Sequence, residues 1–189
     1  MIATSPKKTI TKGAPMTIRQ CTTQDIQMLA DFYDQVVLHL TQTTNWPKWR
    51  YKQYPNIDSV TEDITQGAQY VCLDSDGVVL GAFVINQDAR GAYEKGDWSV
   101  KLADTEYYVI HSFAVNPNFY KKGIANCMID YCKQLCIARG AKAIRIDVVP
   151  TNAPAIALYT RNGFTFAGEK DLDRGFDDIP TFCLYEFNF

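Results

Sequence analysis

Only two histidines, His39 and His111, occur in 189 residues, and neither sits beside the cysteines. The six cysteines contain no C-x-x-C pair, and the closest trio, Cys127, Cys132 and Cys136, is spaced by five and four residues. That pattern fits neither a redox dithiol nor a zinc knuckle, and no metal cluster is expected. The thiols read instead as buried small hydrophobes, which points to a reducing, cytoplasmic compartment. A basic surplus is also missing: 19 Lys and Arg stand against 21 Asp and Glu, a formal net charge of −2. Proteins that hold nucleic acid through phosphate contacts carry the opposite balance, so no nucleic-acid partner is expected. No run approaches the roughly 20 apolar residues of a membrane span. The opening MIATSPKKTITKGAP lacks the apolar stretch of a signal peptide. Residues 1–15 therefore read as a flexible tail and 16–189 as the folded domain.

What is present is an ordinary globular composition, 47% hydrophobic and 21% charged. Met16–Gln20 reads as a strand, and Thr22 with Asp25 as a capping box opening a helix over roughly 23–40. Ser59 and Glu62 open a shorter helix that Gly67 ends. Tyr70–Leu73 and Val78–Ile85 flank DSDG as a hairpin. Glu106–Val115 is apolar on both faces, as a central strand is. A helix over about 122–139, a strand at Ala143–Val149, a short helix capped by Asn152, and strands at Phe164–Gly168 and Thr181–Asn188 complete the chain. The order β-α-α-β-β-β-α-β-α-β-β predicts one α/β domain, helices packing on both faces of a mixed sheet.

Chemistry concentrates where the central strand meets the third helix, in VIHSFAVNPNFYKKGIANCMIDYC. Unpaired N–H groups and a partial positive charge at a helix start, a glycine beside them and two lysines make a phosphate cradle. Neither the Walker pattern nor G-x-G-x-x-G is present, so the cradle is not that of a P-loop or a dinucleotide fold.

The segment resembles the acyl-CoA-binding motif of the GCN5-related N-acetyltransferase (GNAT) superfamily. Its apolar-Ala-Val triplet is Phe113, Ala114 and Val115, followed by Pro117 and by Tyr120-Lys121-Lys122-Gly123-Ile124-Ala125. The family's second motif matches Asn152, Ala155, Leu158, Tyr159, Asn162, Gly163 and Phe164. The resemblance covers about 16–189 and implies a mixed, mostly antiparallel sheet of about seven strands. It implies acetyl-CoA as cosubstrate, with the backbone of Phe113 to Val115 pairing with pantetheine and the N–H groups of 121–126, through Asn126, holding pyrophosphate. Asn152 and Ala155 then lie beside the pantetheine. Tyr120 departs from the pattern, because the family has Gln or Arg there and a phenol carries no charge.

The resemblance implies transfer of an acetyl group to a primary amine by direct attack in a ternary complex, without a metal. Tyr159 is the candidate general acid that protonates the leaving thiolate. His111 is the candidate base or water-holding group, and strand parity puts it on the face of Val109 and Phe113 unless a bulge intervenes. As a helix tyrosine and a strand histidine, both also suit plain core roles. Trp46, Trp49 and Tyr93 are candidate acceptor-site residues, with Tyr51 and Tyr54 nearby, and Asp171, Asp173, Asp177 and Asp178 an acidic loop at the mouth. The acceptor is a small-molecule or peptide amine, and the chain a monomer or homodimer. Tyr120 keeps a second reading open, a non-catalytic acyl-CoA-binding sensor, and a third, a protein–protein module without cofactor, is disfavoured by the intact motifs.

Overall fold

A computed structural model describes residues 15–189. Seven strands form one sheet in the order β1-β2-β3-β4-β5-β7-β6. They are β1 Met16–Gln20, β2 Gln69–Asp74, β3 Val79–Asn86, β4 Tyr107–Val115, β5 Ala143–Val148, β6 Thr165–Lys170 and β7 Phe182–Asn188. The helices are α1 Ile26–Gln42, α2 Ile57–Thr65, α3 Ile124–Ala138 and α4 Ala153–Arg161. The mixed, mostly antiparallel α/β sheet expected from the sequence is present: β4 and β5 are parallel and every other neighbouring pair is antiparallel. No helix among the described residues is long and apolar enough to cross a membrane. The tail expected at 1–15 lies, but for Pro15, outside the described residues.

The two faces of the sheet bury different helices. On one, Met128, Ile129, Cys132 and Cys136 of α3 and Leu158 and Tyr159 of α4 pack on Leu80, Phe83, Ile110, Ile144 and Ile146. On the other, Leu29, Tyr33, Val36 and Leu40 of α1 and Val60 and Ile64 of α2 cover Val71, Val79, Ala82 and Ala114. Burial of so much apolar surface is the main favourable term holding the layers. Burial pushes the thiols of Cys72 and Cys136 up to about 12, as expected of small hydrophobes, but Cys127 is exposed.

Local signals set most boundaries. The Thr22–Asp25 box forms, but it opens a single turn of 3-10 helix ahead of α1. The second helix starts earlier than Ser59: Asn56 is the cap, accepting from the Ser59 N–H at 2.9 Å, while the Ser59 hydroxyl accepts from the Asn56 N–H. Ser59 is thus the partner within the box, not its start.

Two irregularities interrupt the pairing of β4. Its pairing with β5 covers only Tyr107–Val109 against Ala143–Arg145, so the strands part beyond that point. A bulge then sets Ser112 and Phe113 opposite the single residue Phe83, with Ser112 at φ 46°. A bulge reverses the alternation of side chains. Phe113 and Val115 therefore join Ile110 on the α3 face, while Val109 lies with Tyr107 and Leu184 on the opposite face. The parity that grouped His111 with Phe113 is corrected by that extra residue.

Candidate active site

A cavity of about 920 Å³ opens where β4 and β5 part. Ile110, His111, Ser112 and Phe113 line it from β4, Asp147 and Val148 from β5, and Asn152, Ala155 and Tyr159 from the start and body of α4. Its outer walls are residues 47–54 and 173–179, with Arg90 and Gly91 between.

Tyr159 is 5% exposed and its ring meets Phe113 and Phe164 edge-on, with centroids 6.2 and 5.5 Å away. Its hydroxyl makes no hydrogen bond to any described residue, although the side chain lines the cavity. Burial raises its pKa well above the usual phenol value, so the proton stays on Oη until something in the cavity takes it. Asn152 caps α4, its Oδ1 accepting from the Ala155 N–H at 3.2 Å. The capping role leaves Asn152 on the cavity wall.

The turn before α3 forms a separate, open cradle. Gly123 caps the helix at φ 84°, a left-handed conformation that side chains resist, and a Cβ there would meet nothing within 4 Å. The backbone N–H groups of Gly123, Ile124, Ala125 and Asn126 meet no acceptor among the described residues, and the helical bonding begins with Cys127 N–H to Gly123 O at 3.1 Å. Lys121 and Lys122 are exposed beside it. Asn126 ties the cradle to α4, its Oδ1 accepting from Asn162 Nδ2 at 3.1 Å. Tyr120 is 45% exposed and packs edge-on against His39 of α1, centroids 6.0 Å apart. Donors without acceptors at a helix start suit an anion.

His111 is buried, and its Nε2 lies 2.8 Å from the Asp88 carbonyl. A carbonyl only accepts, so Nε2 carries the hydrogen and Nδ1 the lone pair. Burial lowers its pKa to about 4, against the pull of Asp147. The ring is therefore neutral at ordinary pH.

Beneath the cavity lies a network that the sequence did not announce. Arg174 grips Asp147 through two bonds, Nη1 to Oδ1 at 2.7 Å and Nη2 to Oδ2 at 2.9 Å. Its Nε donates to Arg90 O at 2.6 Å, and Tyr93 donates its hydroxyl to Asp147 Oδ2 at 2.7 Å. Tyr93 is thus a support under the floor, not a lining residue; Trp46 also falls outside the lining, whereas Trp49 is part of it. Tyr54 bonds Ser112 hydroxyl to hydroxyl at 2.6 Å, linking the aromatic loop to the bulge. Arg145 and Asp147, two charges on one face of the strand AIRIDV, were a legible hint of Asp147; Arg174 and Ser112 carried none.

The Acetyltransferase (GNAT) family model matches residues 35–164, which contain the cradle, the bulge and α4. The chain belongs to the GNAT acetyltransferase family. Among solved GNAT structures, an acetyltransferase of the family from Listeria monocytogenes superposes with a TM-score of 0.73 at 21% identity, covering 95% of this chain and 99% of that one. A Salmonella typhimurium protein described as an acetyltransferase, solved with its cofactor acetyl-CoA, gives 0.66 at 18% identity, covering 93% and 94%. At those identities the likeness is one of fold. Among curated proteins, a streptothricin acetyltransferase from Escherichia coli is 33% identical over 95 residues, which are 50% of this chain and 51% of that protein. One from Streptomyces lavendulae is 28% identical over 99 residues, 52% and 45%. The chain spans about half the length of these curated relatives.

Proposed function

We infer that the chain is an acetyl-CoA-dependent N-acetyltransferase acting on a primary amine by direct attack in a ternary complex. The reading rests above all on Tyr159, a buried phenol whose hydroxyl bonds to no described residue at a cavity beside an unpaired strand edge. Coenzyme A fits the remaining features. The N–H groups of Gly123 to Asn126 match a pyrophosphate, with Lys121 and Lys122 adding charge, and the edge of Phe113 to Val115 matches the amides of pantetheine. Acetyl-CoA supplies the activated acyl group. As the C–N bond forms and the C–S bond breaks, Tyr159 delivers its Oη proton to the departing sulfur, and the proton shed by the amine nitrogen returns to the phenolate or passes to solvent. His111 offers Nδ1 as an acceptor that orients an amine hydrogen or a water; with a pKa near 4 it does not retain a full proton. Trp49 and Tyr54 form the acceptor wall.

The named relatives put streptothricin first on an acceptor panel that also holds simple amines and peptides. Calorimetry with acetyl-CoA followed by a thiol-release assay on that panel tests the reading. Release of CoA with at least one amine is expected. Binding without release on any acceptor favours the sensor reading that the uncharged Tyr120 suggests, and no binding at millimolar acetyl-CoA sinks both.

A further inference from the structure

The outer mouth of the cavity is spanned by one ion pair, Arg50 Nη2 to Asp178 Oδ2 at 2.9 Å. Among the described residues it is the one hydrogen bond or ion pair joining the 46–55 loop to the 171–181 loop. Its side chains are 60% and 47% exposed, so water competes for both charges and the bond is easily exchanged. The same loop is held quite differently at its root, where Arg174 and Asp147 are 16% and 11% exposed and doubly bonded. Between root and tip stands Gly175, at φ 67° with open space where a Cβ would lie. The loop is therefore anchored below and free to change partners above.

The surroundings decide which charge is exchanged. A cation replacing Arg50 meets Asp178, the adjacent Asp177, and the rings of Trp49, Tyr54 and Phe176, all lining the same cavity. Phe176 is 50% exposed and Tyr54 36%, so both side chains reach solvent at the mouth, and aromatic rings attract cations and not carboxylates. Lys48 and Arg50 supply an equal count of positive charge on the opposite lip, which leaves the aromatic faces to break the tie.

We propose that Arg50 is a stand-in for the substrate: the acceptor carries a second cationic group, which displaces Arg50 and pairs with Asp178. This deepens the N-acetyltransferase reading and rests on it, naming the acceptor as an amine with a further positive charge.

The test is calorimetric titration of the full chain with 1,5-diaminopentane, pentylamine and 5-aminopentanoate. A stand-in and its target respond with opposite signs. Arg50→Gln is expected to tighten the diamine relative to pentylamine by about two- to fivefold, the range open to an exposed pair, and Asp178→Asn to weaken it by a similar factor. Both shifts shrink as salt is raised from about 0.01 to about 0.15 M. Weakening by both variants means the pair only holds the loop, and the proposal fails. The mirror pattern with 5-aminopentanoate, weaker for Arg50→Gln and tighter for Asp178→Asn, means the mouth takes an anion, and the proposal fails. No diamine binding at millimolar concentration also overturns it. Thiol release with any amine reports on the acetyl-transfer reading separately, so that reading survives if only the opposed signs are missing.

Discussion

The two halves of the cavity are built from different materials. The inner half, from β4 through α3 to α4, is made mainly of backbone: an unpaired strand edge, free N–H groups at Gly123 to Asn126, and one capped helix carrying Tyr159. The outer half, from 47–54, 90–91 and 173–179, is made of side chains reaching between segments far apart in sequence, such as Arg174 to Asp147 and Arg50 to Asp178. Backbone geometry tolerates exchange of most side chains, whereas a side-chain network fixes shape and charge. On the proposed reading the inner half faces the cofactor and the outer half faces the acceptor.

The largest expected effect lies where the halves meet. Tyr159→Phe removes the proton that Oη would offer the leaving group and should lower turnover by about 10²- to 10⁴-fold. Acetyl-CoA affinity by calorimetry should hold within about twofold; an equal loss in both would make Tyr159 a packing residue and blur the division.

Breaking the outer half comes next. Arg174→Met leaves Asp147 charged and buried without its partner, a cost of about 3–5 kcal/mol in urea unfolding. In whatever fraction folds, acceptor KM should rise far more than acetyl-CoA KM, and a parallel rise would contradict the separation of roles.

Acid probes β4, in the inner half, through His111. The folded pKa of His111 is near 4 and its unfolded value near 6.5, so the unfolded chain binds the extra proton between those pH values. Stability from this group is fully present above about pH 6.5 and is lost as pH falls toward 4, by about 3 kcal/mol in all. Asp63, whose pKa burial raises, runs the other way, so the measurement is the difference between wild type and His111→Asn. A difference that stays flat from pH 7 to 4 would show that the imidazole is not desolvated as described.

The smallest effect on stability falls in the inner half. Gly123→Ala meets no clash, so it costs only the left-handed strain of about 1–2 kcal/mol. Its methyl enters the cradle, and acetyl-CoA Kd should rise about tenfold while acceptor binding by calorimetry is spared. An unchanged Kd would move the pyrophosphate elsewhere.

How much could be read in advance follows the same division. The order of elements along the chain, the Gly123 turn and the Asn152 cap were legible, because hydrophobic period, a positive φ or a cap depends on residues a few positions apart. The second helix started at Asn56 instead of Ser59, since both residues of a capping box carry the same polar signature. Strand parity failed at Ser112, where nothing in HSFAV announces an extra residue and only pairing with β3 reveals it. Trp46 and Trp49 looked alike in sequence, yet only Trp49 reaches the cavity.

By itself the sequence determined the layers of the fold, the Gly123 turn and the Asn152 cap, because hydrophobic period, glycine and cap are properties of short stretches of chain. Only the tertiary structure decided the outer half of the cavity. Arg50 and Asp178 lie 128 positions apart, and Arg174 and Asp147 27. Whether such charges meet, are buried or stay exchangeable depends on where β4 and β5 part, and no local pattern encodes that separation.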